Sequence, residues 1–330
     1  MTLRRISPPY RYSIYGVRVT SDHRFAFPMA RDGQQPLADV EFVEGAAEDF
    51  EPSANEQPSA DEWVVRPRPA DGTTYLRWED LYEFLVAADG SRIVYRALGD
   101  CPRAVLQNFL FGQALAVALV QQGIEPLHAA VVRVDDWAVG FLGDCGFGKS
   151  TLLAAFLQEG HPVVTDDMLM LERRSGSLIA YPGSGRLKLM PDSAGTFWDS
   201  PTRGTPLTRT ATKRSFPLTA AGRQSDSLPL RRLFVLPEPD ERNRMSSFEI
   251  RPISRLAMVR ELLKSSFTTA IFHRERLARQ FAFATQVASE ANGFELRYPA
   301  GLQHLPALRA AIVEHVRHTG VEKHACRKTA

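Results

Sequence analysis

In its first hundred residues the chain alternates apolar and polar positions; later it switches to longer periods. Tyr12-Ser-Ile-Tyr-Gly-Val-Arg-Val19, within residues 10–30, has the two-residue period of a strand. Thr73-Thr-Tyr-Leu-Arg-Trp78 and Leu81-Tyr-Glu-Phe-Leu-Val86 read the same way. Ala88-Asp-Gly-Ser91 places a turn before Arg92-Ile-Val-Tyr-Arg96, which predicts a hairpin. Residues 1–100 therefore read as a small β-rich domain. Residues 32–65 interrupt the pattern with ten acids and no Lys or Arg, with Pro52, Ser53, Pro58 and Ser59 among them. That composition predicts an exposed, mobile loop, either a plain solvated insertion or a docking site for a basic partner.

Ala104 to Val120 is almost continuously apolar. It is shorter than the ~20 residues a bilayer requires and carries Gln107, Asn108 and Gln113. With Pro102 at a first-turn position, it predicts a buried helix of a soluble core, within a connecting stretch 101–124. From 125 to 330 strand-like and helix-like runs alternate. Leu127-His-Ala-Ala-Val-Val-Arg-Val134 reads as a strand, Asp135-Asp136 as a turn, and Trp137-Ala-Val-Gly-Phe-Leu142 as a buried strand. Ser150 to Gln158 predicts a helix stopped at Glu159-Gly160. His161-Pro-Val-Val-Thr165 is a short strand, ending in Asp166-Asp167 and continued by Met168–Leu171. Helical periods follow near 253–265, 273–289 and 303–317, with a strand at 293–299 between the last two. The whole pattern predicts an α/β core carrying an N-terminal β-rich domain.

Composition narrows the class. A chain of 330 residues with 44% hydrophobic and 24% charged residues is an ordinary globular protein, long enough for two domains. A net charge of +2 gives no ground for a nucleic-acid or acidic-membrane partner, and neither is expected. Cys101, Cys145 and Cys326 are odd in number and widely spaced, which suits a reducing, cytoplasmic compartment and makes no metal motif. The N-terminus lacks the apolar run of a signal peptide.

The chemistry concentrates at Gly143-Asp144-Cys145-Gly146-Phe147-Gly148-Lys149-Ser150, followed by Thr151. This fits G-x-x-x-x-G-K-[ST] between a strand and a helix, the context a phosphate-binding P-loop needs. The glycines let backbone N–H groups turn inward around phosphate oxygens, and the helix N-terminus adds partial positive charge. Lys149 would reach the β- and γ-phosphates, and Ser150 would ligate Mg²⁺. Phosphoryl transfer also needs a carboxylate to orient or deprotonate the acceptor hydroxyl. Asp166-Asp167 stands at a strand end soon after the loop. Neighbours on a regular strand face opposite ways, so either each has its own task or the chain bends to bring them together. Taken alone the pair is equally a turn, like Asp135-Asp136.

Three motifs in order give these residues a context. Leu127-His128, the loop Gly143–Ser150 and Gly160-His161-Pro-Val-Val-Thr-Asp166-Asp167 resemble the HPr kinase/phosphorylase family. His128 lies 15 residues before Gly143, and Asp166 lies 17 after Lys149. The resemblance spans about residues 125–172. It implies a P-loop kinase core of the HPr kinase/phosphoenolpyruvate carboxykinase-like type. ATP and Mg²⁺ (or Mn²⁺) would be required, and Asp166, Asp167, His128 and Lys149 would be the catalytic residues. The metal would be held by Ser150, Asp166 and Asp167. The aspartate pair would carry the acid/base step on a serine hydroxyl.

The chain also departs from that family. Where the family has a signature rich in Glu, Arg and Gly, this sequence has Tyr181-Pro-Gly-Ser-Gly-Arg186-Leu-Lys188-Leu-Met-Pro-Asp192-Ser, without the expected metal-ligating Glu. The N-terminal domain differs as well. The whole chain is more similar to a stand-alone HPr-kinase-like group, some of whose members resemble kinases of the C-terminal serine of lasso-peptide precursors. That similarity rests on Arg186–Ser193, Lys213-Arg214-Ser-Phe-Pro-Leu and Phe294–Pro299. Arg186 and Lys188 alternate on an apparent strand and share one face. With Lys213 and Arg214 they are candidates to neutralise phosphate charge, or else a solvated basic surface. The expected function is ATP-dependent phosphorylation of a serine on a peptide or small protein, with homo-oligomerisation left open. A small-molecule hydroxyl kinase and a nucleotide-binding regulatory module are the alternatives.

Overall fold

The computed structural model describes residues 10–27, 29, 35–50, 63–68, 71–78, 81–99, 103–198, 204–207, 212–267, 271 and 273–318. The chain forms two compact units. The first takes Met1–Pro126, Leu207–Arg209 and Phe267–Arg279, and the second takes the remainder.

The first unit is a seven-stranded mixed sheet. Its strands are β1 (Tyr10–Ile14), β2 (Val17–Ser21), β3 (Ala38–Glu44), β4 (Trp63–Pro67), β5 (Thr74–Trp78), β6 (Tyr82–Val86) and β7 (Arg92–Ala97). They lie in the order β1-β2-β3-β7-β6-β5-β4, with β3 parallel to both of its neighbours. β3 corrects the expectation of a loop across 32–65. Its acids Asp39, Glu41 and Glu44 sit on partly or fully exposed positions, while Ala38, Val40 and Phe42 point inward and are buried. The two-residue alternation was present, but the count of acids outweighed it; the part of that stretch at 51–62 lies outside the described residues. The apolar stretch is helical as expected: α1 (Arg103–Phe109), a π-helical turn (Leu110–Ala114) and α2 (Leu115–Gln121). By length and composition Arg103–Gln121 could cross a membrane, yet 67% of its most apolar window is buried within the protein. Phe111 packs edge-on against Phe25 and Phe42, at 5.4 and 5.0 Å between ring centres, so the helix is the core of this unit.

The second unit has an eight-stranded sheet with helices on both faces. Its strands β8 (Leu127–His128), β9 (Ala130–Val134) and β10 (Trp137–Leu142) precede α3 (Lys149–Gln158). Then come β11 (Val163–Thr165), β12 (Met168–Leu169), β13 (Leu171–Arg174), β14 (Ser177–Ala180), β15 (Arg186–Leu189) and α4 (Pro191–Phe197). β16 (Thr205–Pro206), β17 (Arg214–Pro217), β18 (Leu228–Val235), α5 (Pro239–Arg242), β19 (Glu249–Pro252) and α6 (Arg255–Lys264) follow. The last described elements are α7 (Arg274–Glu290), β20 (Asn292–Arg297) and α8 (Leu305–His318). The main sheet runs β11-β9-β10-β18-β14-β13, and β20 pairs with both β18 and β19. β10, β18 and β20 are parallel neighbours, so their carboxyl ends share one edge. Alternate residues of β10 feed opposite layers. Val139 and Phe141 pack with Leu152, Leu153 and Phe156 of α3 and Leu308 and Ile312 of α8. Ala138 and Leu142 pack with Met258 and Leu262 of α6 and Val287 of α7. Burying each large side chain of this kind contributes about 1.5–3 kcal/mol.

Two predicted strands are broken here. Leu127–Val134 splits at Ala129, because β8 leaves the sheet to pair with β12 and the His128 N–H donates to the Ser265 carbonyl at 2.6 Å. Met168–Leu171 divides between β12 and β13 for the same reason. A small three-stranded sheet, β15-β17-β16, lies outside the main one.

Candidate functional site

The segment Gly143–Gly148 leaves the carboxyl end of β10 and enters α3, whose first turn begins at Lys149. Gly148 caps that helix at φ +85°, in the left-handed region that favours glycine. Gly143 sits at φ +144°, and a Cβ there would lie 2.9 Å from the Phe147 ring. The orphan N–H groups of the helix start therefore open into the turn. Lys149 is buried at 6% exposure, and its ammonium is folded back into the turn. Nζ donates to the carbonyls of Gly143 at 2.6 Å and Asp144 at 3.0 Å, and lies 3.0 Å from His128 Nε2. Burial pulls the Lys149 pKa down, against the pull of Asp167 and Asp166.

β11 ends in a bend that brings both aspartates within electrostatic reach of this lysine. The Thr165 hydroxyl donates to the Met168 carbonyl at 2.7 Å, and Asp167 takes φ +89°. A non-glycine residue there is strained, and such strain persists where the surroundings over-determine it. Asp166 is 4% exposed. It accepts the Ser150 hydroxyl at 2.8 Å on one oxygen and the Lys188 backbone N–H at 2.9 Å on the other. Burial, then the charge of Asp167, pushes the Asp166 carboxyl above its usual range. Asp167 meets Lys188 Nζ at 2.5 Å and His128 Nδ1 at 3.4 Å. Burial would raise Asp167 too, but the charge and hydrogen bond of Lys188 overcome it and hold that carboxyl well below the ordinary value. Two adjacent carboxylates are thus driven in opposite directions by their neighbours.

His128 bridges the two halves. Nδ1 lies 3.0 Å from the Asp167 carbonyl, while Nε2 faces the Lys149 ammonium. Burial is the largest influence on His128 and lowers its pKa, so the ring is neutral at pH 7. A neutral ring that accepts from Lys149 at Nε2 donates from Nδ1 to the carbonyl.

The expected residues do not all converge. Ser150, His128, Lys149, Asp166, Asp167 and Lys188 form one cluster. Lys213 is near enough to shift Lys149 and both aspartates electrostatically. Arg186 instead donates to Ser215 Oγ at 2.7 Å across the small sheet, and Arg214 donates to the Gly204 carbonyl at 2.6 Å. Cys145 is a free, exposed thiol on the turn. Thr151 Oγ1 reaches Ser193 Oγ at 3.5 Å. Sequence reasoning missed Thr165, Ser193 and Arg242, whose guanidinium lies against Phe147 and Gly148. Arg242 stands in Glu238-Pro-Asp-Glu-Arg-Asn-Arg244, which reads as a solvated charged run. No periodic signal marks the other two.

Among the described residues no group of three His, Cys, Asp or Glu side chains is placed to hold a metal ion. The donor set is smaller. Ser150 Oγ and Asp166 Oδ1 lie side by side, whereas Asp167 Oδ2 is engaged by Lys188. One hydroxyl and one buried carboxylate suit a hard cation such as Mg²⁺, which keeps waters and takes phosphate oxygens for its remaining positions.

No family model and no curated protein matches the chain. Among solved structures it is similar to the HPr(Ser) kinase/phosphatase from Coxiella burnetii, with a TM-score of 0.34 and 16% sequence identity. That match covers 59% of this chain and 97% of the other. A likeness of that order carries no argument, and the functional reading rests on the site itself.

Proposed function

We propose that this chain is an ATP-dependent kinase with an HPr-kinase-like core, and that it phosphorylates a serine hydroxyl on a peptide or small protein. The observation that carries the reading is the meeting of Ser150, Lys149, His128, Asp166, Asp167 and Lys188 at the mouth of a glycine-bounded turn on a helix N-terminus. Ser150 and Asp166 would hold Mg²⁺ or Mn²⁺, which when bound would neutralise phosphate charge.

The other steps belong to the side chains. Backbone N–H groups from Gly146 to Ser150 would cradle the β- and γ-phosphates. Lys149 would exchange the Gly143 and Asp144 carbonyls for phosphate oxygens, recovering the full charge that burial disfavours. Asp167, with 26% of its side chain exposed against 4% exposure for Asp166, is the carboxylate an acceptor could reach. Lys188 keeps it ionised. It would accept the hydrogen bond of the acceptor hydroxyl and aim that oxygen at the γ-phosphorus. As the new P–O bond forms, the bond to the ADP oxygen breaks and the hydroxyl proton passes to Asp167. A carboxylate held so low is a weak base, which suits a loose transition state in which orientation matters more than early proton removal. Neutral His128 ties the Asp167 backbone to Lys149 and keeps base and cation in register.

A peptide acceptor follows from the resemblance of the three motifs. A C-terminal serine, as on a lasso-peptide precursor, would bring a carboxylate suited to Lys213 and its neighbours. The test is incubation of the protein with ATP, Mg²⁺ and serine-ended peptides, read by mass spectrometry. One added phosphate that disappears on Ser→Ala supports the reading. Phosphorylation of sugars or nucleosides alone would replace it with a small-molecule kinase, and nucleotide binding without any transfer would replace it with a regulatory module.

A further inference from the structure

Three loops leave the shared carboxyl edge of the parallel strands β10, β18 and β20. They are the glycine turn 143–148, the segment 236–248 carrying α5, and the segment 298–304. In doubly wound sheets ligands bind at such an edge. Arg242, the last residue of α5, touches all three loops. Its Nη2 donates to the Phe147 carbonyl at 3.0 Å, and its Nη1 donates to the Tyr298 hydroxyl at 3.1 Å. Its own carbonyl accepts the Ala300 N–H at 3.2 Å. The guanidinium also lies over the Tyr298 ring, 5.3 Å from its centre. A Cβ on Gly148 would stand 3.2 Å from Nη1, so the planar fork lies close along the backbone of the turn.

Charge gives a second, independent observation. Among the described residues no carboxylate forms an ion pair with Arg242, whereas Arg96, Arg174, Arg309 and Arg317 each have one. Its Nε is buried without a hydrogen-bond partner. A cation placed in this way satisfies no acid; it acts on carbonyl and ring dipoles. The backbone carbonyl it holds, that of Phe147, lies just before the helix N-cap Gly148, and because C=O and N–H of one trans peptide point opposite ways, an oxygen drawn to Arg242 turns the Gly148 N–H away from it.

We infer that Arg242 is a positioning residue: it clamps the helix end of the phosphate-binding turn to the other two loops, so that the Phe147–Gly148 peptide is already oriented before nucleotide arrives. This rests on the nucleotide-binding reading above and adds the element that preorganises it. The fork geometry is essential, because a lysine ammonium is a single point charge and cannot span the Phe147 and Tyr298 oxygens in one plane.

The test uses the full chain in two measurements. The first is hydrogen exchange without nucleotide, resolved on the peptide covering 143–150. Arg242→Ala should speed exchange there by about tenfold, leaving peptides from β9 and α8 unchanged. The second is calorimetric affinity for Mg·ATP, which should weaken by about tenfold in the same variant. Arg242→Lys should recover little of either, and Tyr298→Phe, which removes one arm of the clamp, should shift both in the same direction by less. Unaltered exchange in Arg242→Ala overturns the inference. So does a loosened turn with unchanged affinity, full recovery by Arg242→Lys (charge alone would then suffice), or faster exchange spread equally over all peptides. Lys149→Ala is measured alongside. Should wild type and Lys149→Ala both fail to bind Mg·ATP, the nucleotide reading falls, while the exchange measured without nucleotide still decides whether Arg242 holds the turn.

Discussion

Asp135-Asp136 and Asp166-Asp167 are the same dipeptide, each at the end of a strand, and each has one residue at positive φ: Asp135 at +53° and Asp167 at +89°. The first is the turn between β9 and β10. Asp135 pairs with Arg317 at 2.8 Å with 48% of its side chain exposed, and Asp136 is 91% exposed beside Arg133. In the second, Asp166 is buried against Ser150, and Asp167, half-buried, lies against Lys188 and His128. Each pair bends the chain through one left-handed residue, the first aspartate in one and the second in the other, and the surroundings differ far more. Water absorbs the charge of the first pair, and the buried site must balance the second with named partners.

The largest expected contrast is in catalysis. Asp166→Asn or Asp167→Asn should each reduce phosphoryl transfer by about 10²–10⁴-fold. Asp135→Asn and Asp136→Asn should leave it near wild type. Initial rates on an accepted substrate decide this, and equal losses at the two pairs would remove the functional distinction. Next comes nucleotide affinity. Lys149→Ala should weaken Mg·ATP binding by on the order of tenfold or more, while Asp135→Asn leaves it unchanged, both by calorimetry.

The contrast also explains what the sequence revealed. The turn at Asp135-Asp136, the strand–turn–helix around Gly143–Ser150, the helices α6, α7 and α8 and the core helix Arg103–Gln121 all follow from local pattern. β3 does not, because its alternation lies beneath a run of acids, and strand propensity is set by which face is buried. The bend after Thr165 does not either. It depends on a hydroxyl-to-carbonyl bond and on the pairing of β12 with β8, neither of which leaves a periodic trace. That His128, Lys149, Asp166 and Asp167 would meet was legible through the register of three motifs. The separation of the basic residues was not. Lys188 turns to Asp167 while Arg186, two residues away on the same strand, turns to Ser215. A shared strand face does not guarantee a shared partner, and Arg242 comes from a charged run with no signal at all.

A smaller effect separates the two members of the buried pair. The folded-state pKa of Asp167 is lowered, so its ionisation stabilises the fold above the unfolded carboxylate pKa, and that stabilisation is lost as pH falls. That of Asp166 is raised, so its charge costs stability at neutral pH and the cost disappears on protonation. At pH 7, without nucleotide, Asp167→Asn should lower stability by about 1–3 kcal/mol, and Asp166→Asn should hold or raise it. Asparagine can still accept from the Lys188 N–H while its amide faces the Ser150 hydroxyl. Thermal unfolding with matched denaturant titrations reads both signs, and two losses of similar size would mean that the buried carboxylates are not distinct.

The smallest effect tests the exposed pair by its sensitivity to salt. Asp135 is held below the ordinary carboxylate range, first by its hydrogen bonds to Arg317, so its contribution also fades as pH falls. Both side chains are about half exposed, which keeps a pair of this kind weak. Its coupling is open to counterions, with a screening length of about 10 Å at 0.1 M and about 3 Å at 1 M. Asp167 and Lys188, with 26% and 19% of their side chains exposed, are shielded from most of that atmosphere. A double-mutant cycle on Asp135 and Arg317, read by urea unfolding, should therefore give a small coupling in dilute buffer that vanishes at molar salt. The same cycle on Asp167 and Lys188 should give a larger coupling that largely survives. If both decayed together, burial would not be what distinguishes the Asp166-Asp167 site from the turn, and the opposed ionisation of Asp166 and Asp167 would lose its physical basis.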